Sequence, residues 1–452
     1  MNRPKVNSLD QTLNTLCLSG SKSLWESEWL SSEEAGTEKI SPYLQEAYVR
    51  EACAWLGASA CVSDLLVKAL DLFRQIPAAR RLAWHCHYCI FISPVEDAIR
   101  DKQAASWLEL PEHLHPQALL FYAIVFLSGL GYVRKYQAAR GIPESVTRDT
   151  LSDLELWIEK NYKRFGRWRF AEKRWLIRHF TNRIFKLGRL QFALEIFPSP
   201  LRAYRHKMTR QIVLLSESGY KFRQDGQYDG ASGVLDPQAW TATLQADERT
   251  IQGQRIMPEG CARPEQITLA ADEWQVVLRN GDAVLGVHIP EIGAMDSELC
   301  QDSFRQALQF FPRYFPDRYF YAFTCYSWLC NSVFDRLLPE TSNIRKFQRE
   351  WYLFPVPGAN SDGFFVQLFG RTFSDWNDVP QTSSLLKAVV RHLKAGGQLN
   401  TGGALVFPED LDWGRAVYRV GSSSFFNGGT CLGEVPYPDA NNPTHCPSYS
   451  AT

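Results

Sequence analysis

The sequence predicts an α+β protein in which a helical N-terminal domain is followed by a mixed α/β domain. Apolar residues recur at helical spacing between Pro42 and Phe197, as expected of helices with one buried face. The segment 198–200, Pro-Ser-Pro, interrupts this pattern and predicts a domain boundary. Beyond it, apolar runs of strand length alternate with amphipathic segments, which is typical of a sheet covered by helices.

Composition excludes several classes of protein. The chain has 452 residues, enough for two cores, and its formal net charge of zero gives no overall field that attracts nucleic acid or a membrane. Residues 1–10 are polar and lack the apolar stretch of a secretory signal. The most apolar window, Ala118–Leu130, is about half as long as a membrane span. The eleven cysteines are scattered, so we expect free thiols and a soluble, cytoplasmic protein.

We expect four regions along the chain. Residues 1–41 are rich in Ser, Glu and Lys and predict a flexible leader. Residues 42–200 form the helical domain, and residues 205–409 form the α/β domain. Residues 410–452 are rich in Gly, Ser, Pro and Asn, which predicts a disordered tail that the fold does not need.

Within the helical domain, apolar spacing places several helices. Leu66, Ala69, Leu70 and Phe73 share one helical face, and Pro77 ends that helix. The further helices predicted in this way are Arg80–Ile92, Gln117–Gly131, Thr150–Asn161 and Glu172–Leu187.

The clearest strand signal in the α/β domain is a hairpin. Strands are predicted for Trp274–Arg279 and Asp282–Ile289, because the Asn280-Gly281 pair between them tolerates the positive φ of a tight turn. In that register Glu273 lies opposite His288.

A helix and a second strand follow this hairpin. Pro290 ends the strand before it, because proline donates no ladder hydrogen bond, and Asp296 is an expected N-cap. The helix then has one apolar face, made of Cys300, Phe304, Ala307, Leu308 and Phe311. The aromatic segment Tyr319–Leu329 predicts a buried strand, and Ser342 begins a further helix.

Several of these landmarks together resemble a known family. The motifs are Leu-Gly-Arg-Leu-Gln-Phe at 187–192, Leu-Gly-Val-His-Ile-Pro at 285–290 followed by Gly293, and Cys-x-Ser-Trp-Leu at 325–329. In this order they resemble bacterial acyltransferase-domain proteins, which join a helical N-acyltransferase domain to a GNAT-like C-terminal domain. The resemblance covers about residues 42 to 409.

The resemblance implies a fold, a reaction and a donor site. It implies an acyltransferase that moves an acyl group, with acetyl as one candidate, from acyl-CoA or acetyl-CoA to a small-molecule or peptide amine. The donor would lie in the gap between strands 283–289 and 319–329. Its pyrophosphate would lie against the loop that contains Ile289, Gly293, Ala294 and Ser297.

One departure keeps a second function open. GNAT enzymes carry Arg/Gln-x-x-Gly-x-Gly/Ala in the pyrophosphate loop, whereas this chain has Gly293 followed by Ala294 and Met295. Asp296 and Glu298 would also repel a phosphate at the start of the helix. The alternative is therefore a catalytically inactive GNAT-derived binding or regulatory module.

His288 is the first candidate for catalysis. Acyl transfer to an amine needs a base with a pKa near neutral, and the imidazole of histidine has one. Glu291 follows three residues later and could orient that imidazole. The structural alternative is a strand-end histidine that Glu273 satisfies across the hairpin.

Cys325 and Ser327 are the candidates for protonating the leaving thiolate. They lie on one face of the predicted strand, because side chains alternate along it. Cys325 could instead be a small core residue, which is the commoner role of a buried cysteine. A thiol or serine hydrolase that combines one of them with His288 is a third possibility, although no nucleophile-elbow motif is present.

Two further patterns have structural explanations. The segment from Lys160 to Arg189 holds eleven Lys or Arg residues and one acid, which fits a solvated helix face, a flank for the phosphates of coenzyme A or a surface for an acidic partner. No nucleic-acid motif accompanies it, so neither nucleic acid nor a membrane is expected as a partner. Residues 84–89, Trp-His-Cys-His-Tyr-Cys, match no zinc spacing, so we expect core packing and no metal.

Overall fold

A computed structural model describes residues 8–358, 365, 368, 369, 373 and 375–419. The chain forms two compact units, each built from two separate segments. The first unit joins the residues up to Ile196 with Ala283–Phe323, and the second joins Phe197–Asp282 with the residues from Thr324 onward. The first unit contains the helical half predicted from the sequence together with part of the sheet.

The first unit begins with a stack of helices around one apolar core. Pro77 begins the fifth helix at a position where its missing N–H costs nothing, and Gly57 ends the third in the left-handed conformation. The helices are α1 (Leu9–Thr15), α2 (Trp29–Glu34), α3 (Glu46–Leu56), α4 (Ala60–Gln75), α5 (Pro77–Phe91), α6 (Asp97–Ser106), α7 (Phe121–Leu127), α8 (Leu130–Ala139), α9 (Glu144–Leu151), α10 (Asp153–Phe165) and α11 (Lys173–Phe180).

The expected flexible leader is wrong for residues 8–41. They form α1, α2 and two short 3-10 segments, and Leu13, Trp25 and Trp29 are buried in the helical core. Trp25 stacks on Trp107 with ring centroids 5.6 Å apart. The polar composition concealed short amphipathic helices whose few large apolar residues are enough to anchor them.

The helical run Ala118–Ala139 is long and apolar enough to cross a membrane by length and composition alone. However, 72% of its most apolar stretch is buried inside the protein, as expected of a core helix. Among the nine cysteines that the structure describes, eight are free thiols and Cys261 is disulfide-bonded, so the expectation of free thiols fails at that position.

The strands are divided between the two units. They are β1 (Ile184–Leu187), β2 (Leu190–Ile196), β3 (Leu201–His206), β4 (Ile212–Ser216), β5 (Lys221–Phe222), β6 (Trp240–Thr241), β7 (Leu244–Ala246), β8 (Thr250–Met257), β9 (Cys261–Ala270), β10 (Trp274–Leu278), β11 (Ala283–His288), β12 (Ala322–Ser327), β13 (Tyr352–Pro355) and β14 (Gly402–Val406).

In the first unit, β1, β2 and β11 form an antiparallel arrangement in that order. A tight turn at Gly188, where φ is +65°, joins β1 to β2. The prediction that a helix runs from Glu172 to Leu187 is therefore correct only as far as Phe180, and the last residues of that segment form β1.

The two faces of β1, β2 and β11 differ in chemistry. One face is aromatic and packs on a long helix, α12 (Ser297–Tyr314), through the ring pairs Phe185–Phe310 and Phe192–Phe304 at 5.0 and 5.7 Å. Because paired residues of antiparallel strands share a face, the opposite face brings together the polar side chains of β2 and β11. The candidate site lies on this polar face.

The predicted hairpin between residues 274 and 289 is wrong in its pairing. The turn at Asn280-Gly281 exists, with φ +92° at Gly281, but β10 pairs with β3 and β11 pairs with β2. Glu273 therefore does not lie opposite His288. A turn fixes a change of direction but not the neighbours of each strand, and here the two strands enter different sheets.

The second unit contains the remaining strands, with β12 belonging to it from Thr324 onward. Five of them follow the order β10–β3–β4–β8–β7 with β9 paired to β8, while β5 pairs with β6. Another group has the order β12–β14–β13. Where the structure describes this unit, its α-helices include α13 (Phe334–Leu337), α14 (Asn343–Arg349) and α15 (Ser384–Lys394).

The expected disordered tail is wrong for residues 410–419, which are docked in the second unit. Both carboxylate oxygens of Asp410 accept hydrogen bonds from the buried guanidinium of Arg205, at 2.8 and 2.7 Å. Tyr418 is buried, and its hydroxyl donates to Asp410 at 2.9 Å and accepts from the amide of Phe407 at 3.0 Å. The rest of that prediction, residues 420–452, lies outside the described residues.

Candidate active site

The candidate site is built around His288, the last residue of β11. Its imidazole Nε2 lies 3.2 Å from Oε1 of Glu195 on the neighbouring strand β2. About 27% of each of these two side chains is exposed, so the pair is shielded but still reached by solvent. The structure therefore supports an accessible histidine at the end of a strand, with a carboxylate as its partner.

Two small residues let this pair form. Glu195 is opposite Val284 in the register, and His288 is opposite Gln191, so the Ala193–Gly286 pair separates them along the sheet. The Glu195 carboxylate lies so close over Gly286 that a Cβ added there would be 2.0 Å from Oε2. The absence of a side chain at Gly286 is what allows Glu195 to reach His288.

Charge around the pair fixes its protonation. Burial raises the pKa of Glu195, but the hydrogen bond and charge of His288 and the guanidinium of Arg178, which also donates to Oε1, outweigh burial and lower it to about 2. Burial is the main cause that lowers the pKa of His288 below its ordinary value, with Glu195 opposing that shift. At neutral pH the pair is a neutral imidazole beside an ionised carboxylate.

This protonation state also selects a tautomer of His288. Since the carboxylate can only accept, Nε2 carries the proton and donates it to Glu195. The other ring nitrogen, Nδ1, is then left with a lone pair. An imidazole held in this way can take a proton from a substrate at Nδ1 while the forming positive charge lies next to Glu195.

The loop after β11 is organised by the Leu-Gly-Arg-Leu-Gln-Phe motif. The guanidinium of Arg189 donates hydrogen bonds to the carbonyls of Pro290, Gly293 and Ala294, at 2.9, 3.2 and 3.1 Å. The backbone amide of Arg189 also donates to Ser303 of α12 at 2.8 Å. The motif recognised in the sequence therefore holds the predicted donor loop in place.

The start of α12 is capped by its own chain. The carboxylate of Asp296 accepts hydrogen bonds from the amides of Glu298 and Leu299, at 2.9 and 3.1 Å. Asp296 is thus the N-cap that the sequence predicted. Of the predicted donor-binding residues, Gly293 and Ala294 are exposed, whereas Ile289 and Ser297 are half-buried.

Two family models match the chain. A model of the N-acyltransferase N-terminal domain matches residues 47–182, and a model of the GNAT-like C-terminal domain matches residues 184–406. The chain belongs to the family that joins these two domains. The resemblance seen in the sequence and the predicted α+β class are confirmed, and the family is one of acyltransferases.

Solved structures of acyltransferases share this fold. A mutant acyltransferase in complex with octanoyl-CoA is 20% identical, with a TM-score of 0.61, and the match covers 89% of this chain and 99% of that one. An acyltransferase in complex with decanoyl-CoA and teicoplanin is 21% identical, with the same TM-score and coverage. No protein among those of curated function matches the sequence.

The predicted site residues of this acyltransferase family member do not all meet. Glu291 is exposed and forms an ion pair with Lys160 at 2.6 Å, so Glu195 and not Glu291 is the carboxylate that contacts His288. Glu273, the expected structural partner of His288, lies 3.7 Å from His206 instead.

Cys325 and Ser327 belong to the second compact unit. Cys325 is 1% exposed, which is the burial expected of a core cysteine. The hydroxyl of Ser327 accepts a hydrogen bond from the amide of Leu329 at 3.2 Å and so caps a short 3-10 turn. Their proposed role in protonating a leaving thiolate remains a prediction.

Much of the basic segment is neutralised by acids of the first unit. Arg167, Arg169 and Arg183 form ion pairs with Glu112, Glu109 and Asp101 respectively. In the cysteine- and histidine-rich stretch of α5, the four residues His85, Cys86, His87 and Cys89 are all buried. Among the residues that the structure describes, no cluster of metal-ligating side chains occurs.

Sequence analysis missed Glu195, Arg178 and the role of Gly286. The available signal was the segment Phe192–Ile196, in which an acid lies in an apolar run of strand length. The helical pattern predicted for the residues before it hides this strand. Once β2 is assigned as a strand next to β11, its acid Glu195 becomes the expected partner of His288.

We expect Gly286→Ala to disrupt the pair without unfolding the protein. The new Cβ displaces the Glu195 carboxylate, which removes its bond to His288 and costs about 1–3 kcal/mol of stability. Gly131→Ala is the matched control, because Gly131 lies in α8 with nothing within 4 Å of the added Cβ. Thermal melting of both variants measures the difference, and equal melting temperatures would contradict the packing argument.

Proposed function

We propose that this protein transfers an acyl group from acyl-CoA to an amine of a small molecule or peptide, with His288 as the general base. The observation that carries the proposal is the partly exposed His288 imidazole at the end of β11, with Nε2 3.2 Å from the Glu195 carboxylate. A base of this kind suits the removal of a proton from an ammonium or amine near neutral pH.

In the proposed reaction, the amine replaces coenzyme A on the acyl group and its proton passes to His288. The amine nitrogen attacks the carbonyl carbon of the thioester, and its proton passes to Nδ1 of His288, directly or through water. The C–N bond forms, the C–S bond breaks, and coenzyme A leaves as the thiolate. Glu195 stabilises the imidazolium that forms, while Arg178 keeps Glu195 ionised.

Acyl-CoA as donor is supported by the family and by the fold it shares with acyltransferases crystallised with octanoyl-CoA and decanoyl-CoA. The proposed contacts are Ile289, Gly293, Ala294 and Ser297, in the loop that Arg189 holds. Gly293 has a φ of +69°, a conformation that glycine adopts without strain, so this residue shapes the loop.

Titration with coenzyme A and with its acetyl, octanoyl and decanoyl thioesters tests the donor. We expect binding heat and a raised melting temperature with at least one thioester. A panel of primary amines with a colorimetric assay for the released thiol then tests turnover. Absence of binding to every thioester at millimolar concentration would overturn the donor assignment.

One observation favours a second function, a GNAT-derived binding module without catalysis. The amides at the start of α12 that could hold a phosphate already bind the carboxylate of Asp296. Binding of a thioester without thiol release for any amine would support this module. The variant Asp296→Asn, which keeps the cap but removes its charge, would then bind coenzyme A more tightly.

A further inference from the structure

The ring of Trp175, in α11, contacts two imidazoles of the first unit. Its ring meets that of His288 edge-on, with centroids 5.0 Å apart and an interplanar angle of 66°. The same indole also meets the ring of His179, with centroids 5.0 Å apart and an angle of 69°. The indole therefore forms a wall against the histidine assigned above as the base.

A buried carboxylate fixes the indole. Nε1 of Trp175 donates to Oδ2 of Asp153 at 3.0 Å, and the amide of Gln191 donates to Oδ1 at 2.8 Å. Asp153 is only 2% exposed, and Nε2 of His179 lies 3.1 Å from Oδ2. Three elements, α10, α11 and β2, thus meet at one carboxylate.

Asp153 is ionised in this setting. Burial raises its pKa, but His179 and the hydrogen bonds from Gln191 and Trp175 outweigh burial and lower it to about 2. Its place in the first turn of α10 adds the favourable end of the helix dipole. An ionised acceptor makes a stronger hydrogen bond to the indole than a neutral one, so the orientation of Trp175 is tightly fixed.

Asp153 is connected to His288 through two residues, Trp175 and Gln191, to which it is hydrogen-bonded. Trp175 contacts the imidazole ring, and Gln191 is the residue directly opposite His288 in the register of β2 and β11. The titratable and charged groups near the imidazole are Glu195 on β2 and Arg178 and His179 on α11. The guanidinium of Arg178, which donates to Glu195, also lies over the Trp175 ring with Cζ 5.5 Å from its centroid, so Trp175 acts on the His288–Glu195 pair through packing.

We propose that Trp175 is a positioning residue, which Asp153 holds so that the His288 imidazole stays turned toward Glu195 with Nδ1 available to the substrate. This proposal rests on the proposed function for its effect on rate, but its effect on the imidazole is independent of any reaction. Loss of the indole N–H frees the ring from Asp153, and the imidazole then has a second orientation away from Glu195.

The test uses the full chain with Trp175→Phe and Asp153→Asn. Trp168→Phe is the matched control, because Trp168 is also half-buried in the first unit but stacks on Tyr162 at 4.1 Å. We expect the first two variants to lower kcat about 10-fold or more through misplacement of the base, with KM for acyl-CoA unchanged. The control keeps wild-type kinetics.

Nitrogen-15 spectra of the histidine rings give a readout that needs no turnover. In the wild type, His288 shows one tautomer with the proton on Nε2, and we expect a mixture of tautomers in Trp175→Phe and Asp153→Asn. An unchanged His288 signal in folded variants would overturn the positioning role. If the wild type shows this tautomer but turns over no thioester, the proposed function fails and the positioning of His288 stands.

Discussion

Replacing His288 with glutamine is expected to lower kcat/KM about 10²–10⁴-fold, which is the usual cost of losing a general base. Glutamine keeps the size of the side chain and can donate to Glu195, but it takes no proton near neutral pH. Because Glu195 keeps its bond to Arg178, the loss of stability should be only about 1 kcal/mol. Turnover beside a melting curve measures both effects.

The pH dependence of the reaction rate is a second test of His288 as the general base. Burial lowers the pKa of His288 below its ordinary value, so the active neutral form dominates at pH 7. The rate of the wild type should therefore rise with pH through a pKa below about 6.5 and reach a plateau near neutral. His288→Gln should lose this limb of the profile.

His206 offers a closely matched control for His288. It also ends a strand, lies 3.7 Å from a glutamate, Glu273, and meets a tryptophan, Trp274, edge-on at 5.0 Å. His206→Gln should leave turnover unchanged. Equal rates for wild type and His288→Gln would exclude the imidazole from the mechanism, and equal losses in both variants would mark a general effect of losing a strand-end histidine.

Arg205→Met is expected to produce the largest loss of stability, about 3–5 kcal/mol, which is the usual cost of breaking a buried ion pair. The guanidinium is 1% exposed and makes both hydrogen bonds to Asp410, whose side chain is 10% exposed. Without Arg205 the Asp410 carboxylate remains shielded, with Tyr418 as its one remaining side-chain donor among the described residues, and the segment 407–418 loses a buried attachment. Urea unfolding measures the change.

Arg202 is the control for Arg205 on the same strand, β3. Its ion pair with Glu217 is 38% and 26% exposed, so Arg202→Met should cost no more than about 1 kcal/mol. The double variant Arg205→Met with Asp410→Leu should recover part of the loss, because no unpaired charge remains buried. Equal unfolding midpoints for Arg205→Met and Arg202→Met would show that this attachment contributes little.

The sequence was sufficient for features that depend on local pattern. The face of Leu66 and Phe73 in α4, the strand from Ala283 and the N-cap at Asp296 were all predicted, because propensity, periodicity and capping are encoded within a few residues. His288 could be singled out for the same reason, since a strand and a following proline define the place where it lies.

Features that depend on distant pairing could not be predicted. Glu195 precedes His288 by 93 residues, and the local sequence around each residue does not indicate that the two side chains are in contact. The Asn280-Gly281 turn was identified, yet it led to the wrong partner, Glu273, because pairing of β11 with β2 is settled by burial of both strands. The need for glycine at position 286 becomes clear only once the Glu195 carboxylate is known to lie over it.

The discontinuous first unit has a consequence for the synthesis of the chain. β11 and α12 emerge from the ribosome only after residues 197–282. The strand β2 therefore has no β11 to pair with while this long segment is translated. At a rate of about 5–20 residues per second, residues 197–323 take on the order of ten seconds. Throughout that interval the edge of β2 is unpaired and the aromatic face of Phe185 and Phe192 is not yet covered by α12. Exposed strand edges and apolar faces of this kind associate with those of other chains. The nascent chain is thus most vulnerable to aggregation after its helices have formed and before α12 is released, a period in which chaperone binding should protect it most.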